Sequence, residues 1–158
     1  MVKTNATRLL TAAGVAFRTQ EYEVDENDLS GTHVAEVLGL MPDQVFKTLV
    51  LKGERAGYFV CCVPVNSELD LKKAAKAAGD KKVAMIHMKD LKDVTGYIRG
   101  GCSPIGMKKP FPTFLDETSI LFDEIYVSAG ERGSQIIIAP DDLVRYVGMT
   151  RVDLVKDE

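Results

Sequence analysis

Hydrophobic and polar positions along this chain form short segments whose period switches repeatedly between that of a helix and that of a strand. The pattern predicts a first helix over 5–13 ending at Gly14, then extended chain over 15–24. Thr32 is placed to cap a short helix through Leu38, closed by Gly39. Segments 45–51 and 58–65 are β-branched and apolar, and the polar, glycine-containing 52–57 between them reads as a hairpin turn. Ser67 or Asp70 starts a helix with Leu71, Ala74, Ala75 and Ala78 on one side and Lys72, Lys73 and Lys76 on another, ending at Gly79. A strand over 81–86 and a helix over 88–94 follow, then strands over 112–115, 124–128 and 134–138. The last two are joined by a turn at 129–133, and Asp141 is placed to cap a final helix ending at Gly148.

Two hairpins argue against an all-parallel, doubly wound sheet, because parallel neighbours need crossovers of about a dozen residues or more. The expected fold is α+β: a mixed, partly antiparallel sheet curled toward a barrel, with short helices packed around it. With 158 residues and 46% hydrophobic content, residues 1–158 are expected to form a single domain. No apolar run approaches the roughly 20 residues of a membrane span, and no apolar signal core follows Met1, so the expectation is a soluble cytoplasmic protein. Cys61, Cys62 and Cys102 form no C-x-x-C pair, and His33 and His87 do not complete a zinc set, so neither a metal nor another cofactor is expected.

Net charge is −3, yet residues 72–109 carry ten Lys or Arg against three acids, a local balance of +7 that leaves −10 for the remainder. Such asymmetry fits a phosphate-facing surface, and it fits equally a solvated helix face with scattered lysines.

Candidate chemistry concentrates at Gly100-Gly101-Cys102-Ser103-Pro104-Ile105-Gly106, a glycine-bracketed loop followed by Met107-Lys108-Lys109. Glycine permits close approach of bare backbone to a ligand, and Pro104 biases Ser103 toward extended geometry. A phosphate-binding P-loop would need Lys directly after the glycine, and a hydrolase elbow would need glycine two residues after Ser103; neither spacing is present. Cys102 would be a nucleophile only beside a base or cation; otherwise it is a small side chain packed under the loop. His33 and His87 fit surface or capping positions better than a general base. Lys47 is the one charge inside 45–51, sharing a strand face with Val45, Leu49 and Leu51. It either protects a sheet edge or aims a cation at a phosphate, a carboxylate or a developing oxyanion.

Four segments in order, Val45-Phe46-Lys47-Thr48-Leu49-Val50, Leu69-Asp70-Leu71-Lys72-Lys73-Ala74-Ala75-Lys76, Thr95-Gly96-Tyr97 running into the loop at 100–106, and Tyr126-Val127-Ser128-Ala129-Gly130-Glu131-Arg132-Gly133, resemble the YbaK/ProX family. Its members are free-standing relatives of the editing domain inserted in some bacterial prolyl-tRNA synthetases. The resemblance spans nearly the whole chain and implies clearance of Cys-tRNA(Pro) and Cys-tRNA(Cys), in transient complex with prolyl-tRNA synthetase. A synthetase pocket separates near-isosteric side chains by only a few kcal/mol, so a second sieve is required. In the mechanism associated with the family, the substrate's own thiol attacks the ester carbonyl and leaves as a cyclic thiolactone.

On that resemblance Lys47 matches the functional lysine, and Gly100 and Gly101 offer backbone groups to the aminoacyl moiety. Ser103 and Gly106 shape the pocket, Ser128 and Gly130 belong to a second wall near the terminal adenosine, and Tyr22 stands at the mouth. Lys72, Lys73, Lys76, Lys81, Lys82, Lys108 and Lys109 would meet tRNA backbone without reading sequence. The chain departs from the family pattern at Gln135, where an acidic residue is expected, so no carboxylate role attaches there. Other readings remain open: an editing deacylase for another small ester such as Ala-tRNA(Pro), a non-catalytic tRNA- or synthetase-binding module, and a thiol enzyme using Cys102.

Overall fold

The computed structural model describes residues 3–157. In chain order the elements are α1 (Asn5–Ala12), β1 (Arg18–Glu21), α2 (Gly31–Leu38), β2 (Phe46–Gly53), β3 (Gly57–Pro64), α3 (Leu71–Ala78), β4 (Val83–Met85), α4 (Met88–Thr95), β5 (Thr113–Asp116), β6 (Ile125–Ser128), β7 (Ser134–Ile138), α5 (Pro140–Val147) and β8 (Thr150–Val152). Short 3-10 turns lie at Pro42–Gln44 and Glu117–Leu121.

The helix ends follow local chemistry. Thr4 and Thr7 cap α1 reciprocally, and the Thr4 hydroxyl also donates to the Ala129 carbonyl at 2.6 Å, fastening α1 to the β6–β7 turn. Asp70 caps α3 through the Lys72 and Lys73 N–H groups. Two expected caps are corrected. Ser30, not Thr32, receives the His33 N–H at the start of α2, because Thr32 already lies inside the helix. Ala139 occupies the cap position of α5, with Pro140 as first helical residue; Asp141 lies in the first turn and pairs with Arg151 at 2.7 Å.

The class is α+β, with two sheets. Strands β1-β7-β6 form a three-stranded antiparallel sheet, and β4-β2-β3-β5-β8 a mixed five-stranded one. The β2–β3 hairpin pairs Phe46 with Pro64 through to Gly53 with Gly57. Its turn is pinned from outside by Asp80, whose carboxylate accepts the Arg55 and Ala56 N–H groups at 2.8 and 2.9 Å. Strand alternation gives the five-stranded sheet two apolar faces. Phe46, Val50, Val60 and Cys62 pack against the smaller sheet, α1, α4 and α5, while Leu51, Phe59, Cys61 and Val63 pack beneath α3 and Leu154.

No closed barrel forms; among the described residues the two sheets are joined edge to edge by one parallel bridge, Val45 to Tyr126, beyond which their hydrogen-bonded edges part. Because β3 occupies one edge of β2 along its whole length, β6 meets the other edge at Val45, and β4 reaches that same edge only from Leu51 onward. Between these contacts the edge of β2 is open. A cavity lies in that gap.

Candidate active site

The gap opens into a cavity of about 340 Å³, the size range of a small-ligand site. Val45 and residues 46–50 of β2 form one wall, Ser128 and Gln135 of the parted sheet another, and Met85, Ile86, Met88 and Leu91 an apolar end. The start of α2 and the segment around Arg99 and Gly100 complete the rim.

Lys47 lies where the strand period places it, on the face of Val45, Leu49 and Leu51 and opposite Val63 in the ladder. It is half-buried, and among the described residues its ammonium has no hydrogen-bond or ion-pair partner. Burial lowers its pKa from the ordinary lysine value, and the charge of Glu68 offsets part of that fall. A partly desolvated cation without a partner at the wall of a cavity is poised to meet an anion or a developing negative charge.

The glycine loop is held from behind. Ser103 is fully buried and its hydroxyl accepts the Ile105 N–H at 3.2 Å; the Tyr97 hydroxyl donates to the Ile105 carbonyl. A Cβ on Gly106 would lie 3.0 Å from the Tyr97 oxygen, and one on Gly130, whose φ is +102°, would lie 3.0 Å from the Tyr97 ring. Tyr97 is thus a wedge on which both glycine turns rest. At Gly101 a Cβ would come within 3.1–3.2 Å of the Glu131 and Arg132 backbone, so this glycine permits two main chains to touch. Arg132 then ties the rim together, donating to the Arg99 carbonyl at 2.9 Å and to Glu26 at 2.8 Å.

Of the residues singled out by sequence, Lys47, Tyr22, Gly100 and Ser128 border the cavity. Gly101, Ser103, Gly106 and Gly130 do not: they support the wall as packing surfaces, because their close neighbours are Tyr97 and the backbone at 131–132. Lys72, Lys76, Lys81, Lys82 and Lys109 are exposed. Lys73 is committed elsewhere, bonding Asp153 at 2.8 Å, Asp157 at 3.0 Å and the Val155 carbonyl at 2.6 Å, and the exposed Lys108 donates to the Asp93 carbonyl. Lys82, with Lys52, borders a neighbouring cavity of about 450 Å³ that shares Met85 and Ile86 with the first.

Sequence reading did not single out Arg99, Thr48 or the Met85 and Met88 side chains, and it valued Gln135 only as a departure. The β6–β7 hairpin carried a usable signal: its register sets Gln135 directly opposite Ser128. Gln135 is 6% exposed, and its side-chain oxygen is buried without a hydrogen-bond partner.

Among the described residues, the cavity holds no activated protein nucleophile. Burial pushes the Cys102 thiol up to about 12, so it is protonated at neutral pH. Among the described residues, neither histidine nor any carboxylate borders the cavity. His33 sits 3.6 Å from Asp28, and His87 occupies the cap position of α4 beside the neighbouring cavity.

The sequence model of the aminoacyl-tRNA editing domain matches residues 29–146. The chain belongs to the aminoacyl-tRNA editing domain family. A relative in Enterococcus faecalis, EbsC, provisionally named a Cys-tRNA(Pro)/Cys-tRNA(Cys) deacylase, is 52% identical over 142 residues, covering 90% of this chain and 87% of EbsC. A proline–tRNA ligase of Fervidobacterium nodosum is 35% identical over 75 residues, which are 48% of this chain and 13% of the ligase. Among solved structures, one described as a candidate trans-editing enzyme for prolyl-tRNA synthetase superposes with a TM-score of 0.84 at 24% identity, covering 99% of this chain and all of the other. That likeness places this editing domain's two-sheet architecture among known folds. No described helix of this editing domain is long and apolar enough to cross a membrane.

Proposed function

We propose that this chain, as a single domain acting in the cytoplasm, is a trans-editing deacylase that clears Cys-tRNA(Pro) and Cys-tRNA(Cys). The observation that carries this reading is a ligand-sized cavity with an unpartnered, half-buried Lys47 and no activated protein nucleophile or base. Family membership and the identity to EbsC supply the substrate class.

A site without its own nucleophile fits a substrate that carries one. The cysteinyl thiol attacks its ester carbonyl carbon, the carbonyl π pair moves to oxygen, and collapse breaks the bond to the 3′-terminal ribose. The ribose oxygen takes up the proton released by sulfur, and the amino acid departs as a thiolactone that water opens. Lys47 counters negative charge at the ester or the terminal phosphodiester, an interaction that strengthens as charge develops. Ser128 and Gly100 flank the aminoacyl group, and Tyr22 and Arg99 stand at its rim. Exposed Lys72, Lys76, Lys81, Lys82 and Lys109 meet the tRNA backbone, and a transient complex with prolyl-tRNA synthetase supplies the choice of tRNA.

The test is deacylation of Cys-, Ala- and Pro-charged tRNA(Pro) and of Cys-tRNA(Cys), with and without synthetase. The reading expects rapid loss of both cysteinyl esters and little loss of the 2-aminobutyryl ester, which keeps the size of cysteine and lacks sulfur. Equal turnover of the aminobutyryl ester would overturn the thiol mechanism. Preferred turnover of Ala-tRNA(Pro) would assign the other small ester, and tRNA binding without turnover would make the protein a binding module.

A further inference from the structure

The open edge of β2 presents backbone hydrogen-bonding groups, and the ladder shows which ones. The Val65 N–H bonds the Val45 carbonyl, so in the register that opposes Lys47 to Val63 and Leu49 to Cys61 the odd-numbered residues of β2 direct their backbone groups toward β3. The even-numbered residues therefore direct theirs to the opposite edge. The other side of the strand agrees, since the Ile86 N–H is received by the carbonyl of Val50. Thr48 is even-numbered and lies between the Val45–Tyr126 bridge and the start of β4, so its N–H and C=O face the cavity with no strand opposite them. The buried, unpartnered side-chain oxygen of Gln135 lines the same cavity, a second polar group left waiting for a donor.

An aminoacyl ester offers an α-ammonium and a carbonyl in the same relation as the N–H and C=O of one peptide residue. We propose that Thr48 receives the aminoacyl group as a one-residue strand partner, its N–H donating to the ester carbonyl oxygen and its C=O accepting from the α-ammonium. Directly opposed residues of an antiparallel pair place their side chains on the same face. The amino-acid side chain then falls beside that of Thr48, on the face of Phe46 and Val50 with Ile86 and Leu91, a small apolar setting closed by Cys102. As the carbonyl is attacked its oxygen gains negative charge, and a fixed backbone donor already aimed at it strengthens its hold without reorganisation. Lys47, the next residue, brings positive charge to the same strand segment.

The inference rests on the deacylase reading, and the experiment separates the two. Threonine 48 is replaced by its α-hydroxy analogue through nonsense suppression, exchanging the N–H for an ester oxygen while keeping the side chain, and the same exchange at Leu49 serves as a ladder control. The ester at 48 removes no ladder donor and only weakens the Lys47 carbonyl as an acceptor toward Val63, so it lowers the melting temperature less than the ester at 49, which removes a ladder donor. Deacylation of Cys-tRNA(Pro) by the 48 ester falls by about 10²–10³-fold, the loss seen when one oxyanion donor is removed. In the unmodified protein, the non-hydrolysable probe 3′-(cysteinylamino)-3′-deoxyadenosine shifts the Thr48 amide proton downfield and protects it from exchange. An ester at 48 that melts as low as the one at 49, or one that retains full activity, overturns the proposal while leaving the deacylase intact. A probe that binds without moving the Thr48 amide does the same. Absence of deacylation and of probe binding by the unmodified protein overturns the reading beneath it.

Discussion

Tyr97→Phe removes the oxygen against which Gly106 packs and leaves in place the ring on which Gly130 rests. The Tyr97 side chain is buried, its hydroxyl is the donor to the Ile105 carbonyl, and Ile105 is fully buried, so the carbonyl loses its partner where water does not readily replace it. Leaving a buried acceptor unsatisfied costs about 1–3 kcal/mol. At an unfolding entropy of about 2 cal/mol/K per residue, a chain of 158 residues loses roughly 3 °C of Tm per kcal/mol, so the expected fall is about 3–9 °C. Because the ring still supports Gly130, and Leu9 and Asn5 still pack against Gly106, kcat for Cys-tRNA(Pro) drops by less than about tenfold, well short of the loss for an oxyanion donor. Paired melts by circular dichroism and single-turnover deacylation measure both quantities. An unchanged Tm would refute the structural role of the Tyr97 hydroxyl, since Ile105 would then have another partner. A catalytic collapse with an unchanged Tm would move the Tyr97 hydroxyl into the chemistry.

Lys47→Met removes the cation from the cavity, and deacylation falls by about 10²–10³-fold if that charge acts on the transition state. Its pKa is depressed in the folded protein, so the charged form disfavours folding below the folded pKa, and that penalty fades as pH rises through it toward the ordinary lysine value. The variant therefore melts higher than the parent at pH 7, by a margin that shrinks toward pH 10; a lower Tm at pH 7 would contradict this. Cys102→Ser keeps kcat within about tenfold, its effect confined to packing at the cavity floor, whereas loss of a nucleophile would cost about 10⁴-fold or more. Asp80→Asn tests the hairpin turn. Backbone N–H groups of Ala56 and Arg55 lead the causes that hold the Asp80 carboxyl down at about 2, so its stabilisation is full above the ordinary carboxylate range and is lost as pH falls toward 2. The variant loses stability at pH 7 and shows a flatter acid limb between about pH 4 and 2, as read from pH-dependent melts.

Much of the fold was legible because it rests on local signals. The hairpin at 45–65 follows from β-branched runs around a polar turn, and Gly39, Gly79, Gly96 and Gly148 stop their helices at positive φ. What stayed hidden depends on distant partners. β8 is three residues long and exists by pairing with β5, while buried Asp116 receives the Leu154 N–H just beyond it, thirty-eight residues away. The 3-10 turns carry no hydrophobic period of their own. At the site, strand alternation located Lys47, because one charge in an apolar strand is visible in sequence. The family resemblance makes Ser103 and Gly106 pocket-shaping, yet Ser103 is buried with its hydroxyl turned to the Ile105 N–H and Gly106 packs against Tyr97 and α1, which only the folded chain brings near. Lys73 belonged by charge to a basic surface, and Asp153 and Asp157 at the far end of the chain decide otherwise.

The parting of the two sheets after the Val45–Tyr126 bridge separates what holds this protein together from what it recognises. The inner edge of β2 carries the ladder to β3, and the outer edge faces the void, so substitution of the side chains around that void leaves the ladder intact. Selectivity among small aminoacyl groups can therefore drift in steps that the rest of the molecule hardly registers. A lineage built on this scaffold could diversify its substrates by exchanging a few side chains around one unchanging strand.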